Sequence, residues 1–486
     1  MLCLAAGCGK TEDVPPVAAP KKAAPPEAPV SVASAQGRDV VIVVVDGLRG
    51  DLLPVSVESA PFMNQLAGEG LYFRRATSNS SHVMQSLSSF FTGRLPTRGG
   101  AIGVYEAEPQ EQSATMAQAF QGAGYYTGML ANHPAIQGAG YTKGFQEVQV
   151  AQAGQPLDDM ALVKRAGEFL EDAGDDHVFL YVHFAGVLAS RIYQPDPAGD
   201  PATAPFSVRD FGKDFKFSAA DLRDSPRAQA TKDEYLASMK TADAAVKSLV
   251  DVLRSSGRLD KTLLLLTSLH GFELFEHLYL GVGWSLDDES VRVPLFLRAP
   301  GAVPAVQTKG LATLVDVMPS LLTLVGIAFD PAPLDGQSLF VVDGEQYRYT
   351  RMERPRIAEL VIPERCVVRS VTTNDWKYIA ASAWATPKER YALAESHRET
   401  ANAIAAGTKK PFPMWGADGR ESLIQMPSEH ETQIKMYPEV RQEMAAILAE
   451  YQKSCEISGL PARSPTVTVK AVDADQVENL ESLGYL

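Results

Sequence analysis

The chain reads as an α/β protein, a large mostly parallel sheet flanked by helices with a smaller C-terminal α+β part, and three stretches carry that expectation. Asp39 to Val45 is an unbroken β-branched apolar run ending in Asp46-Gly47, the pattern of a parallel strand buried on both faces. Lys232 to Arg254 sets Tyr235, Met239, Ala242, Val246, Leu249 and Leu253 on one helical stripe, then passes through Gly257 into the Leu-rich Thr262 to Thr267. That order, helix, tight turn, buried strand, is a parallel crossover unit. Met116 to Pro134 reads as helix, turn at Gly122 and Gly124, and short strand, which continues the alternation.

Taken in order, residues 1–8 end in Leu4-Ala5-Ala6-Gly7-Cys8, a small-residue pattern resembling a bacterial lipobox with Cys8 as the lipidated residue. The basic and apolar regions of a secretion signal do not fit before Cys8, so Met1 is read as a start placed too far downstream. An ordinary cysteine near the start is the competing reading. Residues 9–37 are rich in Pro, Ala and Val, the composition of an extended tether. The expected large domain covers 38–335 and the smaller part 336–486.

Within the large domain, Pro61 to Gly70 reads as an amphipathic helix with Pro in its first turn and Gly at its end. Ser78 to Gly93, SNSSHVMQSLSSFFTG, is a hydroxyl-rich loop running into an apolar helix. Free N–H groups at such a helix start favour an anion. His177 to Ala185 is a third apolar strand with His183 near its end, and Pro195 to Pro226 a surface loop. Val293 to Arg298 is a further strand and Leu311 to Gly326 a further helix. In the C-terminal part, Cys366 to Thr373 and Asp375 to Ala380 form an antiparallel pair, and Pro438 to Lys453 an amphipathic helix.

Composition narrows the function. With 486 residues, 45% of them hydrophobic, the chain can bury a full core. A formal net charge of -14 argues against a nucleic-acid partner, which needs a Lys/Arg excess. No run is long and apolar enough to span a bilayer. Cys366 and Cys455 could pair in an oxidising compartment; two separate buried thiols fit equally.

VIVVVDGLRGD, APFMNQLAGEGLYF, KSLVDVLRSSGRLDKTLLLLTSLHG, GWSLDDESVRVPLFLRAPG, LVDVMPSLLTLVGI, LDGQSL, TTNDWKYI and ENLESLGYL together resemble the sulfatases of the alkaline-phosphatase superfamily, in family order. The resemblance implies a hydrolase fold with a Cys or Ser nucleophile and one divalent cation, usually calcium, between two adjacent Asp and a later Asp with Asn or His. The residues depart from that pattern at each step. Aligned on Thr92-Gly93, the nucleophile falls on Val83, the Pro on Gln85 and the Arg on Leu87. The metal carboxylates reduce to Asp46, beside Gly47, and His270, beside Leu269. In the family's His-x-x-Asp-Pro-His pattern, which starts here at His183, the last His is Leu188; the His or Lys ahead of Trp284-Ser285-Leu286 is Val282. Calcium takes ~6–8 oxygen ligands, so a calcium ion is only the alternative to no cofactor at all.

Ser80, Ser81 and Ser86 are the remaining candidate nucleophiles, but a serine needs a base or an oxyanion site nearby, and His82 is adjacent in sequence rather than facing. Hydroxyls capping the helix are the simpler reading. Asp46 and His270 read as a remnant that binds a metal weakly or as a buried hydrogen-bonded pair, His183 as a core histidine or one that supports a site residue from behind, and Glu276-His277 as a surface loop in preference to a relocated metal site. Trp284 and Trp376 read as core or as a sugar-stacking platform. Val83, Leu87, His183, Leu188, Leu269 and Val282 are expected to line one apolar pocket. The chain is therefore expected to be a lipid-anchored bacterial protein of the periplasm or cell surface, with a binding or assembly role towards a glycan or an envelope protein. The alternative is an active sulfuric- or phosphoric-ester hydrolase with a shifted site.

Overall fold

The structure is a computed structural model. It describes residues 30–457 apart from 54–57, 100–113, 139, 141, 153, 156, 212–216, 278–279, 284, 345, 350–353, 363–365, 384–420 and 427–435. Cys8, residues 9–29 and Trp284 lie outside the described residues, as do the side chains of Cys366 and Cys455.

The eight-stranded sheet runs in the order Val306–Thr313, Leu71–Thr77, Leu295–Arg298, Thr262–Thr267, Asp39–Val45, Val178–Phe184, Tyr126–Ala131, Glu147–Val150. Leu295–Arg298 is antiparallel to both neighbours, and every other pairing is parallel. Asp39–Val45 sits in the middle, buried at every position. Because side chains alternate across a strand, Val40, Ile42 and Val44 enter one core layer while Val41, Val43 and Val45 enter the other. Each fully buried aliphatic side chain contributes about 1.5–3 kcal/mol, so both layers hold this strand in register.

The predicted crossover helix spans Pro226–Ser255. It starts before the periodic stripe because Ser225 accepts from the Ala228 N–H and Pro226 occupies the first turn. Its stripe of Tyr235, Met239, Val246, Leu249 and Leu253 is buried in the second layer. The expected helix from Leu311 is shorter, Val317–Val325. Residues 311–313 instead end the edge strand, pairing with Arg75, Ala76 and Thr77. The Leu71–Thr77 partner was not legible in the sequence because Arg74 and Arg75 interrupt its apolar pattern.

The packed region begins earlier than the expected tether boundary. Val30–Val32 pairs antiparallel with Gln346–Tyr349, itself paired with Phe340–Asp343. The Ala33 and Ala35 N–H groups donate to the Ala302 and Leu324 carbonyls. Residues 30–37 thus belong to the domain, because their backbone polar groups find partners there.

The C-terminal part is a four-stranded antiparallel sheet, Arg356–Ile362, Cys366–Thr372, Trp376–Ala383 and Glu421–Gln425. Helix Pro438–Ile457 packs Met444 and Leu448 against Val371, Tyr378 and Leu423. Trp376 packs at the edge of this cluster, its ring 4.8 Å from that of Tyr437. Among the described residues no helix is long and apolar enough to cross a membrane.

Candidate functional site: a carboxylate among imidazoles

The strand tips gather one carboxylate and three imidazoles. Val44 is in register with His183, and His183 with Ala131. The two-residue alternation then carries Asp46, His183 and His133 to one face at the carboxyl ends of three adjacent strands. His270 reaches the same point from the turn after Thr262–Thr267. Asp46 Oδ1 lies 3.4 Å from His270 Nε2, 3.5 Å from His183 Nε2 and 3.8 Å from His133 Nε2. Each of the four residues is at most 1% exposed.

Sequence reasoning placed Asp46 and His270 together, left His183 as a core or supporting histidine and missed His133. His183 belongs to the cluster. The signal for His133 was its place two residues past Ala131, which repeats the phase of Asp46 after Val44.

Electrostatics define the cluster further. Burial would raise the Asp46 carboxyl, but His270, His183 and His133 outweigh it and hold it far below the usual carboxylate range. Burial pushes His133 down to about 3, against the attraction of Asp46. His270 is also pushed down by burial, yet Asp46 wins and its pKa is raised. Neither Asp46 oxygen has a hydrogen-bond partner, nor does His183 Nε2 or His270 Nε2.

The donor set does not fit calcium. One carboxylate and three nitrogen donors fall short of a hard oxygen cage, and the backbone disfavours a second carboxylate beside Asp46. Gly47 has φ 67°, and a Cβ there would lie 2.6 Å from Val187 Cγ1. Such an approach combined with a left-handed backbone strains any side chain at this position.

The helix expected at Ser78 to Gly93 is Val83–Thr92, buried throughout and closed by Gly93 at φ 65°. Its N-cap is His82, whose Nδ1 accepts from the Met84 N–H, and not a serine. Burial, reinforced by His270 and His133, pushes His82 down to about 3, so the neutral ring is free to act as that acceptor. Ser80 donates to Gln85 Oε1, and Ser86 interacts with Ser78 Oγ and the Ser80 carbonyl. Ser81 Oγ is buried without a hydrogen-bond partner. Gln85, at the family's Pro position, donates to the Val361 carbonyl and accepts from the Val361 N–H. Asn79 does the same for strand Arg356–Ile362, donating to Ile357 and accepting through its carbonyl from Glu359. The C-terminal sheet is thereby clamped over the loop.

The apolar replacements divide between the two core layers. Val83, Leu87 and Leu269 are fully buried in the first core layer. Leu188 is fully buried in the second, with Val282 packed against it at partial exposure. They lie on opposite faces of the sheet because each fills the core nearest its own backbone.

A second polar cluster lies in the loop beyond His270. Glu276 pairs with Arg49 at 2.6 Å, while His277 turns towards Glu273 at 3.2 Å. Ser290 donates to Glu273 at 3.1 Å. Ligand atoms of Glu273, His277 and Glu289 lie within 4.8 Å of one another. The side chains of Glu276 and His277 are 26% and 21% exposed, so the loop expected there reaches the surface, while Glu273 beneath it is fully buried and Glu289 is 7% exposed. Burial pushes Glu273 up to about 7 against the pull of His277.

A protein-family model described as Sulfatase matches residues 38–327. Arylsulfatase K of Bos taurus is 32% identical over 154 residues, 30% of this chain and 28% of that protein. The chain thus aligns with less than a third of that relative's length. Choline-sulfatase of Rhizobium meliloti is 24% identical over 414 residues, 70% of this chain and 78% of that protein. The phosphonate monoester hydrolase of Silicibacter pomeroyi superimposes with a TM-score of 0.62 at 16% identity, covering 90% of this chain and 98% of its own. BT4656, solved with its substrate D-glucosamine-2-N,6-O-disulfate, does so at 0.63 and 17%, covering 87% and 99%.

Proposed function

The chain belongs to the sulfatase family, and we propose that it is a catalytically silent member, retained for binding or assembly at a bacterial cell envelope. The observation that carries this reading is Val83. It occupies the first residue of the helix, where the family pattern sets its nucleophile, and it is fully buried in the core. A valine side chain has no group to attack an ester. Losing a nucleophile alone costs a factor on the order of a million in a serine hydrolase, and here the guanidinium and every calcium carboxylate but Asp46 are replaced as well.

The partner class is proposed in keeping with one structural neighbour. A sulfated sugar is the substrate of one structural neighbour, so a glycan or a glycan-bearing envelope protein is the proposed partner. Lipidation at Cys8, through the small-residue pattern ahead of it, would hold the domain at the membrane.

The test is a panel of chromogenic sulfate, phosphate and phosphonate esters with calcium added. Turnover no greater than that of a heat-inactivated control is expected. The competing reading, an ester hydrolase, draws on the unpaired Ser81 hydroxyl; turnover above background that disappears in Ser81→Ala would establish it and overturn the silent reading.

A further inference from the structure

The loop that follows Thr262–Thr267 is tied by its backbone to the turn that precedes Leu295–Arg298. The Gly271 N–H donates to the Ser290 carbonyl at 2.8 Å and the Phe272 N–H to the Glu289 carbonyl at 2.7 Å. The approach is so close that a Cβ on Gly271 would lie 1.9 Å from the Glu289 carbonyl oxygen, which restricts that position to glycine. Glu273 and Glu289 are thereby brought to one point. Phe275, left-handed at φ 74°, turns the chain so that His277 comes back to meet them.

The side chains gathered there are out of electrical balance. His277 Nδ1 lies 3.3 and 3.2 Å from the two oxygens of Glu273 and 3.9 Å from Asp287 Oδ2. A single ring hydrogen placed between two oxygens is directed well at neither. Glu289 supplies a third ligand atom within 4.8 Å of the other two. Its Oε2 is buried with no hydrogen-bond partner among the described residues, in a side chain belonging to a residue only 7% exposed. An orphaned buried acceptor carries its full desolvation penalty. Arg49, which donates to the Phe272 carbonyl beside this point, is held by Asp51 and Glu276 at 2.7 and 2.6 Å, and Lys377 is held by Asp288 at 2.6 Å. Three carboxylates therefore share one imidazole, and even a protonated ring leaves negative charge in surplus.

We propose that Glu273, His277 and Glu289 bind one zinc ion. Zinc takes imidazole nitrogen and carboxylate oxygen at ~2.0–2.2 Å, which sets tetrahedral ligand atoms roughly 3.3–3.6 Å apart. The His277 to Glu273 separation of 3.2 Å already has nearly this spacing, and a side-chain rotation brings in the Glu289 oxygen. The nitrogen donor and the small ligand number favour zinc over calcium and magnesium, which call for about six or more oxygen ligands. Binding replaces the ring's proton with the ion, so the imidazolium is the metal-free form of the site. Ser290, donating to Glu273 at 3.1 Å, orients that carboxylate as an outer partner. The His277 side chain is 21% exposed, so the ion has a path in and its fourth position opens to solvent. None of the three ligands belongs to the Asp46 cluster. The ion would staple residues 273–277 to Glu289.

The test uses the whole untagged chain, stripped with chelator, dialysed, and titrated with zinc, calcium or manganese while metal content and melting temperature are followed. One equivalent of zinc per chain is expected, with a raised melting temperature that neither calcium nor manganese reproduces. Glu289→Gln keeps the side chain's shape and removes its charge, so it should fold and should weaken zinc by more than the ~10–100-fold that losing an outer partner costs. Glu273→Gln is the second carboxylate variant, with the same expected loss should Glu289→Gln not fold. His133→Ala, in the strand-tip cluster, should keep wild-type zinc affinity. No zinc on the folded wild type, a preference for calcium or manganese, wild-type zinc affinity in a folded carboxylate variant, or loss of zinc in folded His133→Ala would each overturn the proposal.

Discussion

Two polar clusters, one gathered from four separate strand tips and one held within residues 273–289, combine carboxylates and imidazoles in opposite ratios. Around Asp46 a single carboxylate is surrounded by three imidazoles. Around His277 a single imidazole is surrounded by Glu273, Asp287 and Glu289, at 3.2 Å from Glu273 and 3.9 Å from Asp287. Surplus carboxylates raise the proton affinity of their imidazole: burial lowers His277, but Glu273, Asp287 and Glu289 carry it up to about 10. In the first cluster burial pushes His133 down to about 3 against the pull of Asp46, and His183 and His270 add to the lowering. In the second cluster the imidazole takes the proton and Ser290 donates to Glu273. In the first, the Asp46 carboxylate raises the proton affinity of His270 while burial keeps His133 from charging. The difference teaches that the ratio of carboxylate to imidazole decides how readily each imidazole of a buried cluster is drawn to charge.

The strongest way to break this comparison is to restore the missing calcium carboxylate. Gly47→Asp should cost about 3 kcal/mol or more, from left-handed strain and overpacking on Val187. Denaturant unfolding measures this. A tolerated substitution that confers calcium binding would show that donor count alone separates this site from a calcium site.

The next effect belongs to the proton-completed cluster. His277 binds its proton more tightly folded than unfolded, so its stabilisation is fully present below about pH 6.5 and is lost as pH rises towards about 10. His277→Gln should therefore cost about 1–3 kcal/mol at pH ~6 and clearly less at pH ~10. A penalty that does not change with pH would mean that the imidazole is held neutral, as His133 is in the other cluster.

The smallest effect is expected at the helix start. Val83→Cys keeps the site apolar and nearly conserves volume, so stability should shift by less than about 1.5 kcal/mol. No ester turnover should appear, because the thiol alone supplies neither the guanidinium nor the calcium. Measurable hydrolysis on the ester panel would place the functional loss in one residue instead of in the whole constellation.

What the sequence by itself determined is the architecture and what is missing from it. The apolar run Asp39 to Val45, the Tyr235 to Leu253 stripe and the Leu-rich Thr262 to Thr267 specify local periods, and local periods survive folding. Val83, Leu87 and Gly47 were likewise readable, since a replaced residue type is a chemical fact before any contact forms. The tertiary structure decided what those replacements became. It separated Leu188 from Val83 onto opposite faces of the sheet, clamped Gln85 to Val361 across 276 residues of chain, and drew Val30–Val32 out of the expected tether into a sheet. It alone joined His133 and His183 to Asp46. Their meeting depends on strand order and register, which arise from pairings between segments distant in sequence and leave no mark in the spacing of the residues themselves.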